Sequence, residues 1–372
     1  QKQNHIITNH WCARERKENM MKRRILAAIM AIAVAASMTA CSSGDSASQS
    51  SADNTAAEGE AAEADAAAEE TSDNTGDSKG TILFSTKTIT NNEFQRIMVE
   101  KCEEVVEAAG YTFELTLSGD ELTVSKQVEN VENAINKGVD GIIVAPMDGS
   151  SLVPALEKAK AAGIPVIIAD SSLDEGNDDL FMSHVGSDNI AIGYEAGQQM
   201  AKAIGEEGKV CVVRGAAGAM GSELRSQGFE EAIAEYPNIE IVNQQLGNWL
   251  SDVAMQVTEN MLTADPDMDG IFLCSDGMLS GVISGVQNKG MDPSELCIIS
   301  VDGNISALDA IKDGTCYGCV AQYPANIGEI SANTMIDVLN GDVAQEDVEH
   351  EQDSGYFFMC PDTIEESEEV AF

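Results

Sequence analysis

From Thr81 onward, short apolar runs alternate with segments whose apolar positions recur at helical spacing. The runs are "TILFST" (81–86), "YTFELTLS" (111–118), "GIIVAP" (141–146), "PVIIAD" (165–170), "KVCVVRG" (209–215), "IEIVNQQL" (239–246), "GIFLCSD" (270–276) and "LCIISVDG" (296–303). Most are apolar throughout, as strands buried on both faces must be. Helices are predicted near 92–109, 122–137, 150–162, 190–205, 222–235, 252–264 and 278–289. Two consecutive βαβ series of similar length predict an α/β protein of two doubly wound, Rossmann-like parallel-sheet lobes, each covered by helices on both faces.

Two runs end alike. "PVIIADSSLD" (165–174) and "CIISVDGNIS" (297–306) each finish on an acid followed by small or turn-forming residues. Ligands of open parallel sheets bind outside the carboxyl ends of the strands. Asp170 and Asp302, one from each half, are therefore expected to face a shared gap. The duller reading is that each acid only closes its own Asx turn.

The first eighty residues have a different texture. Residues 1–20 read as upstream leader and are set aside, with Met20 or Met21 as the start. In "MKRRILAAIMAIAVAASMTAC" (21–41), Lys22, Arg23 and Arg24 precede an apolar stretch from Ile25 to Ala36 that is too short to span a bilayer. This is the pattern of a secretory signal (21–40). Met38-Thr39-Ala40-Cys41 resembles a bacterial lipobox, with Met38 where leucine is usual, which makes Cys41 the expected lipid attachment point. Residues 41–80 contain no large apolar side chain, so they cannot bury enough surface to offset ordering entropy and are expected to form a disordered acidic tether.

Composition narrows the partners. With 63 acidic against 21 basic residues the net charge is −42, which disfavours nucleic acid and anionic membrane surfaces. Membrane contact is thus expected through the anchor alone. Seven cysteines follow Cys41, an odd number, so at least one thiol is free within a single chain; Cys211, Cys274 and Cys297 lie in apolar runs and read as core.

Several motifs suggest other chemistry and fail on detail. "GAAGAMG" (215–221) follows a strand and opens a helix, but its glycines have the wrong spacing for dinucleotides and the next strand ends in "VNQQ" without an acid. "DPDMDG" (265–270) starts like a calcium loop, yet Pro266 interrupts it and its twelfth position is Asp276 rather than glutamate. Cys316-Tyr317-Gly318-Cys319 has redox spacing but lies in an apparent strand, where side chains three apart face opposite ways. No cofactor and no metal is expected.

From Thr81 to about Asp353 the chain resembles the ribose/galactose-type periplasmic sugar-binding proteins that feed ABC transporters. The likeness rests on "NNEF" (91–94), "GIPVIIAD" (163–170), "GSELRSQGF" (221–229), "GIFLCSD" (270–276), "ISVDG" (299–303) and "VAQYPANIG" (320–328), in order. It implies the type I periplasmic binding protein fold: two lobes joined by three hinge crossovers that close on one sugar, with no catalysis. The crossovers are expected near Gly186–Asp188, Gln322–Tyr323 and Glu351–Gly355. The lobes are then 81–186 plus 323–352, and 187–322 plus 353–372. The implied partners are a sugar or polyol, an ABC permease and its ATPase; the chain itself is expected to be a monomer.

Carried over by position, the ligand contacts fall on Asn92, Phe94, Asp170, Arg225, Trp249, Asp302 and Gln322, with Ser171 and Ser275 at contact positions where the family pattern places an arginine and an asparagine. Ala145 replaces another asparagine, Gln95 replaces a second phenylalanine, and "STKTITNNEF" (85–94) is longer than its counterpart. The ligand is therefore expected to be ribose, another sugar or a polyol. The chemistry suits a sugar independently: carboxylates accept from hydroxyls, Arg225 offers a planar fork and is expected to keep the nearby acids ionised, and Phe94 and Trp249 would cover the C–H faces of a ring. Hydrogen bonds to charged groups, at about 1.5–3 kcal/mol each, would reach micromolar affinity.

Other classes remain open at this point. A ligand-sensing domain of a receptor or LacI-type regulator shares the fold, although a basic DNA-binding segment is absent where such regulators carry it. A binder of another polar metabolite would also fit. An enzyme lacks a visible nucleophile–base pair, and His184 in "SHVGSD" (183–188) falls at the expected hinge, where it reads as structural.

Overall fold

A computed structural model describes residues 78–372 apart from Asn91 and Glu121. The leader, the signal, the lipid-attachment position Cys41 and almost all of the tether lie outside the described residues. Two six-stranded sheets organise the rest.

The first sheet has the order β11-β5-β4-β3-β1-β2 and is parallel throughout. Its strands are β1 (Thr81–Thr86), β2 (Thr112–Leu117), β3 (Gly141–Val144), β4 (Val166–Ala169), β5 (Ser183–Gly186) and β11 (Glu351–Asp353). Helices α1 (Glu93–Ala108) and α9 (Pro324–Asn340) pack on one face, α2 (Val124–Lys137) and α3 (Val153–Ala162) on the other. The central strands β3 and β4 are wholly buried because helices cover them on both sides.

The second sheet has the order β12-β10-β9-β8-β6-β7. It comprises β6 (Gly208–Arg214), β7 (Ile239–Leu246), β8 (Gly270–Leu273), β9 (Cys297–Asp302), β10 (Gly318–Gln322) and β12 (Tyr356–Met359), the last running antiparallel to β10. Its helices are α4 (Asn189–Ile204), α5 (Met220–Ala234), α6 (Ser251–Ala264), α7 (Leu279–Asn288), α8 (Ile305–Lys312) and α10 (Ile364–Val370). This is the expected two-lobed α/β architecture.

The chain passes between the sheets three times: from β5 to α4, from β10 to α9 and from β11 to β12. The first and third passages are tied together, since Ser187 Oγ donates to the Gly355 carbonyl at 2.9 Å and the Ser354 N–H donates to the Gly186 carbonyl at 2.9 Å.

The remaining motifs resolve into local structure. All seven cysteines of the described region are free, six of them buried and Cys360 half-buried. Cys316 precedes β10 rather than lying within it. In "DPDMDG" the Asp267 carboxylate pairs with Lys209 and the Asp269 carboxylate accepts the Lys209 backbone N–H at 2.9 Å, so the segment ties α6 to β6. Among the described residues no group of three His, Cys, Asp or Glu side chains is placed to hold a metal, and no helix is long and apolar enough to cross a membrane.

Candidate functional site

The carboxyl ends of both sheets border one cavity of about 100 Å³, with Asp170 and Ser171 contributed by the first sheet and Ser275 and Asp302 by the second. The walls touch beyond it. The Gly149 N–H of the first lobe donates to the Gly218 carbonyl of the second at 3.2 Å, and Ser171 Oγ lies 3.3 Å from where a Cβ on Gly221 would stand.

Asp302 ends β9 with φ 126°, a value that an L-residue adopts only under constraint. Four donors supply that constraint. Oδ1 accepts from Gln322 Nε2 at 3.0 Å and from Arg225 Nη1 at 3.4 Å, while Oδ2 accepts from Ser275 Oγ at 2.6 Å and from the Asp276 N–H at 3.3 Å. Behind it, the buried Asp276 carboxylate takes the Gly303 and Asn304 N–H groups at 2.8 Å each, fixing the turn that follows. Burial raises the pKa of Asp302 even though Arg225 pulls it down. Loss of hydration outweighs the guanidinium, whose charge nonetheless favours the ionised form. Asp276 is likewise raised, first by burial and then by the charge of Asp302.

Arg225 is itself almost completely buried. Its Nε donates to Asn189 Oδ1 at 2.7 Å and its Nη1 to the Cys274 carbonyl at 2.7 Å. The helix crossing that sets this position is unusually tight. A Cβ on Gly193 of α4 would lie 2.0 Å from the Arg225 carbonyl, and one on Gly228 of α5 would lie 2.0 Å from the Ile190 carbonyl, so only glycines allow the two backbones to meet.

Asp170 directly follows β4 with φ 66°, and its Oδ2 accepts from Gln95 Nε2 at 3.0 Å. Gln95 is buried on α1 and its Oε1 accepts from Thr86 Oγ1, which fixes the amide's orientation. The Asp170 backbone is held too, its N–H on the Val185 carbonyl at 2.9 Å and its carbonyl 3.2 Å from His184 Nε2. His184 Nδ1 in turn stands 2.8 Å from Glu351 Oε2 on β11. Burial works against a charge on His184, but the bond to Glu351 and its charge prevail and the net shift is upward.

Trp249 follows Asn248 after β7, both with positive φ (64° and 54°). The indole packs on Gly215, where a Cβ would meet two ring atoms at 2.1 Å. Lys87 Nζ of the first lobe lies 5.2 Å from its ring centroid. Of the five non-glycine residues with positive φ among those described, four are Asp170, Asn248, Trp249 and Asp302. Backbone strain is thus concentrated around this cavity.

Asn92, Phe94, Asp170, Ser171, Arg225, Trp249, Ser275 and Asp302 all line the cavity. Gln322 does not line it and instead lies behind Asp302 as a donor. Phe94 is mostly core, 7% exposed, with its ring edge-on to Phe372 at 6.1 Å. Asn92 caps α1, accepting the Gln95 N–H at 3.1 Å. Sequence reasoning overlooked Lys87, Asn189 and Asn304, took Asp276 only as a misplaced calcium-loop position, and took Gln95 only as a lost aromatic. The one available signal was position, since Lys87, Asp276 and Asn304 follow the ends of apolar runs.

The family profile of the periplasmic binding protein domain matches residues 82–342. Over 224 residues the chain is 33% identical to the ribose import binding protein RbsB of Bacillus subtilis (strain 168), covering 60% of this chain and 71% of that one. Among solved structures, an ABC transporter solute binding protein from Agrobacterium vitis with bound D-fucose is similar at 30% identity and TM-score 0.73, covering 79% of this chain and 100% of that one. One from Bacillus halodurans C-125 with bound myo-inositol is similar at 26% identity and TM-score 0.72, covering 80% and 99%.

Proposed function

The chain belongs to the ribose/galactose-type periplasmic sugar-binding proteins, and from that premise we propose that it captures one monosaccharide or polyol between its lobes for an ABC importer, without catalysis. The family members it resembles are binding proteins rather than enzymes, and their location is extracytoplasmic. The finer parts of the reading are a lipid anchor at Cys41 after signal cleavage, a tether to residue 80, a monomeric head, and lobes of 81–186 plus 323–352 and 187–322 plus 353–372 that rotate about the three passages.

One observation carries the proposal. Two strained, buried acids, Asp170 and Asp302, project from separate sheets into the same small cavity, beside a buried arginine and an indole. Uncharged hydroxyls suit such a site because each can donate to a carboxylate and accept from Arg225, with the indole covering the C–H face of a ring. A cavity of about 100 Å³ favours one ring over an oligosaccharide. The bound D-fucose and myo-inositol of similar structures are consistent with a hexose-sized ligand or a cyclic polyol.

Trp249 and Trp11 are the only tryptophans, and Trp11 precedes the signal, so the processed protein reports on this site alone. Titrating its fluorescence with pentoses, hexoses and polyols should give one saturable class. Saturation by amino acids or nucleosides, with none by sugars, would refute the sugar reading.

A further inference from the structure

Resting on the reading of a closing sugar site, we infer that Lys87 is a closure-dependent binding residue, reaching from one lobe to stack on Trp249 of the other and supply the second cation of the cleft. Both backbones are held by contacts other than the one between the side chains. The Lys87 carbonyl accepts the Ser118 and Gly119 N–H groups at 2.8 and 3.0 Å, which ties the loop after β1 to the loop after β2. Trp249 is fixed by its seat on Gly215 and by its left-handed backbone. Because the two residues belong to different sheets, the 5.2 Å contact forms only when the lobes come together.

Charge gives the contact its consequence. The cavity wall carries Asp170, Asp302 and Glu93 against Arg225 and Lys87. Glu93 is paired with Arg96 on its own helix, which leaves two acids facing two cations. Arg225 sits permanently in the second lobe, hydrogen-bonded to Asn189 and the Cys274 carbonyl, whereas Lys87 reaches the second lobe only on closure. The positive charge of Lys87 also opposes protonation of Asp302 on the far side. Closure over a neutral ligand therefore completes the charge balance of the cavity, which favours the closed state over the open one. The rival is a surface lysine that merely rests on an indole.

Lys87→Met keeps the aliphatic stem and removes the charge, and Lys87→Arg keeps both charge and stacking. Calorimetry on the full chain, with a sugar that wild type binds, is expected to show about tenfold weaker binding for Lys87→Met and a change within about threefold for Lys87→Arg. Trp249 emission should match wild type without ligand and differ from it in the sugar-bound state of Lys87→Met. A Lys87→Met dissociation constant within about twofold of wild type overturns the inference. So does an emission change already present without ligand, which would mean the contact does not depend on closure. If sugars and polyols fail but a nucleoside or amino acid binds, the sugar reading falls, and the same variants titrated with that ligand decide Lys87 separately. If nothing binds wild type, both fall.

Discussion

Arg225 and Asp302 meet at 3.4 Å between Nη1 and Oδ1, both almost wholly buried, and neither can lose the other without stranding a charge. Removing one partner of such a pair costs about 3–5 kcal/mol. Arg225→Met is therefore expected to lower the melting temperature clearly and to abolish ligand binding. Arg225→Lys should not rescue binding, because a point charge cannot span Asn189, the Cys274 carbonyl and Asp302 together. Calorimetry and thermal melts of both variants check this; a lysine variant binding like wild type would show that the planar fork is dispensable.

Gly215→Ala tests the seat of the indole. The new methyl would overlap Trp249, so the ring must tilt out of the cavity wall. Expected are a red-shifted Trp249 emission and affinity weakened about threefold to tenfold, the size of one aromatic contact. Unchanged emission and affinity would mean that Trp249 does not need this seat.

The pair of His184 and Glu351 predicts a pH window for stability. His184 is raised above its ordinary 6.5, so its contribution is complete below that value and fades as pH rises through the folded-state pKa. Glu351 is lowered from 4.5 chiefly by its bond to His184, so its contribution is complete above that value and fades as pH falls. The melting-temperature difference between wild type and Glu351→Gln should thus be greatest near pH 5–6 and shrink on both sides. It should be small, at most about 1 kcal/mol, because the Glu351 side chain is 69% exposed. A flat difference across pH 4–8 would contradict the pairing.

What the sequence made legible, and what it hid, follows from which interactions are local. Strands such as β3 "GIIV" and β4 "VIIA" are buried on both faces and announce themselves as unbroken apolar runs. Strand β5 "SHVG" is equally buried, but Ser183 and His184 satisfy their side chains through Glu349 and Glu351, more than 160 positions away, so no nearby pattern marks it. Strand β11 "EQD" is short and polar and exists only by pairing with β5. At the cavity, Asp170 and Asp302 could be placed because both end apolar runs. Gln95 and Asn189 could not be placed, since their roles depend on where Asp170 and Arg225 lie in space. Asp276 was read only as a failed calcium ligand, whereas it pins the turn after Asp302.

The three passages between sheets bear on biosynthesis. The outer edge of β5 stays without its partner until β11 is made, and β10 stays without its partner until β12 follows. A ribosome-bound chain that has reached α9 would therefore display two bare strand edges at once, each a template for pairing with a neighbour. Truncation before residue 351 should for the same reason yield aggregate rather than a smaller soluble domain, and the final strands act as the seal on both halves.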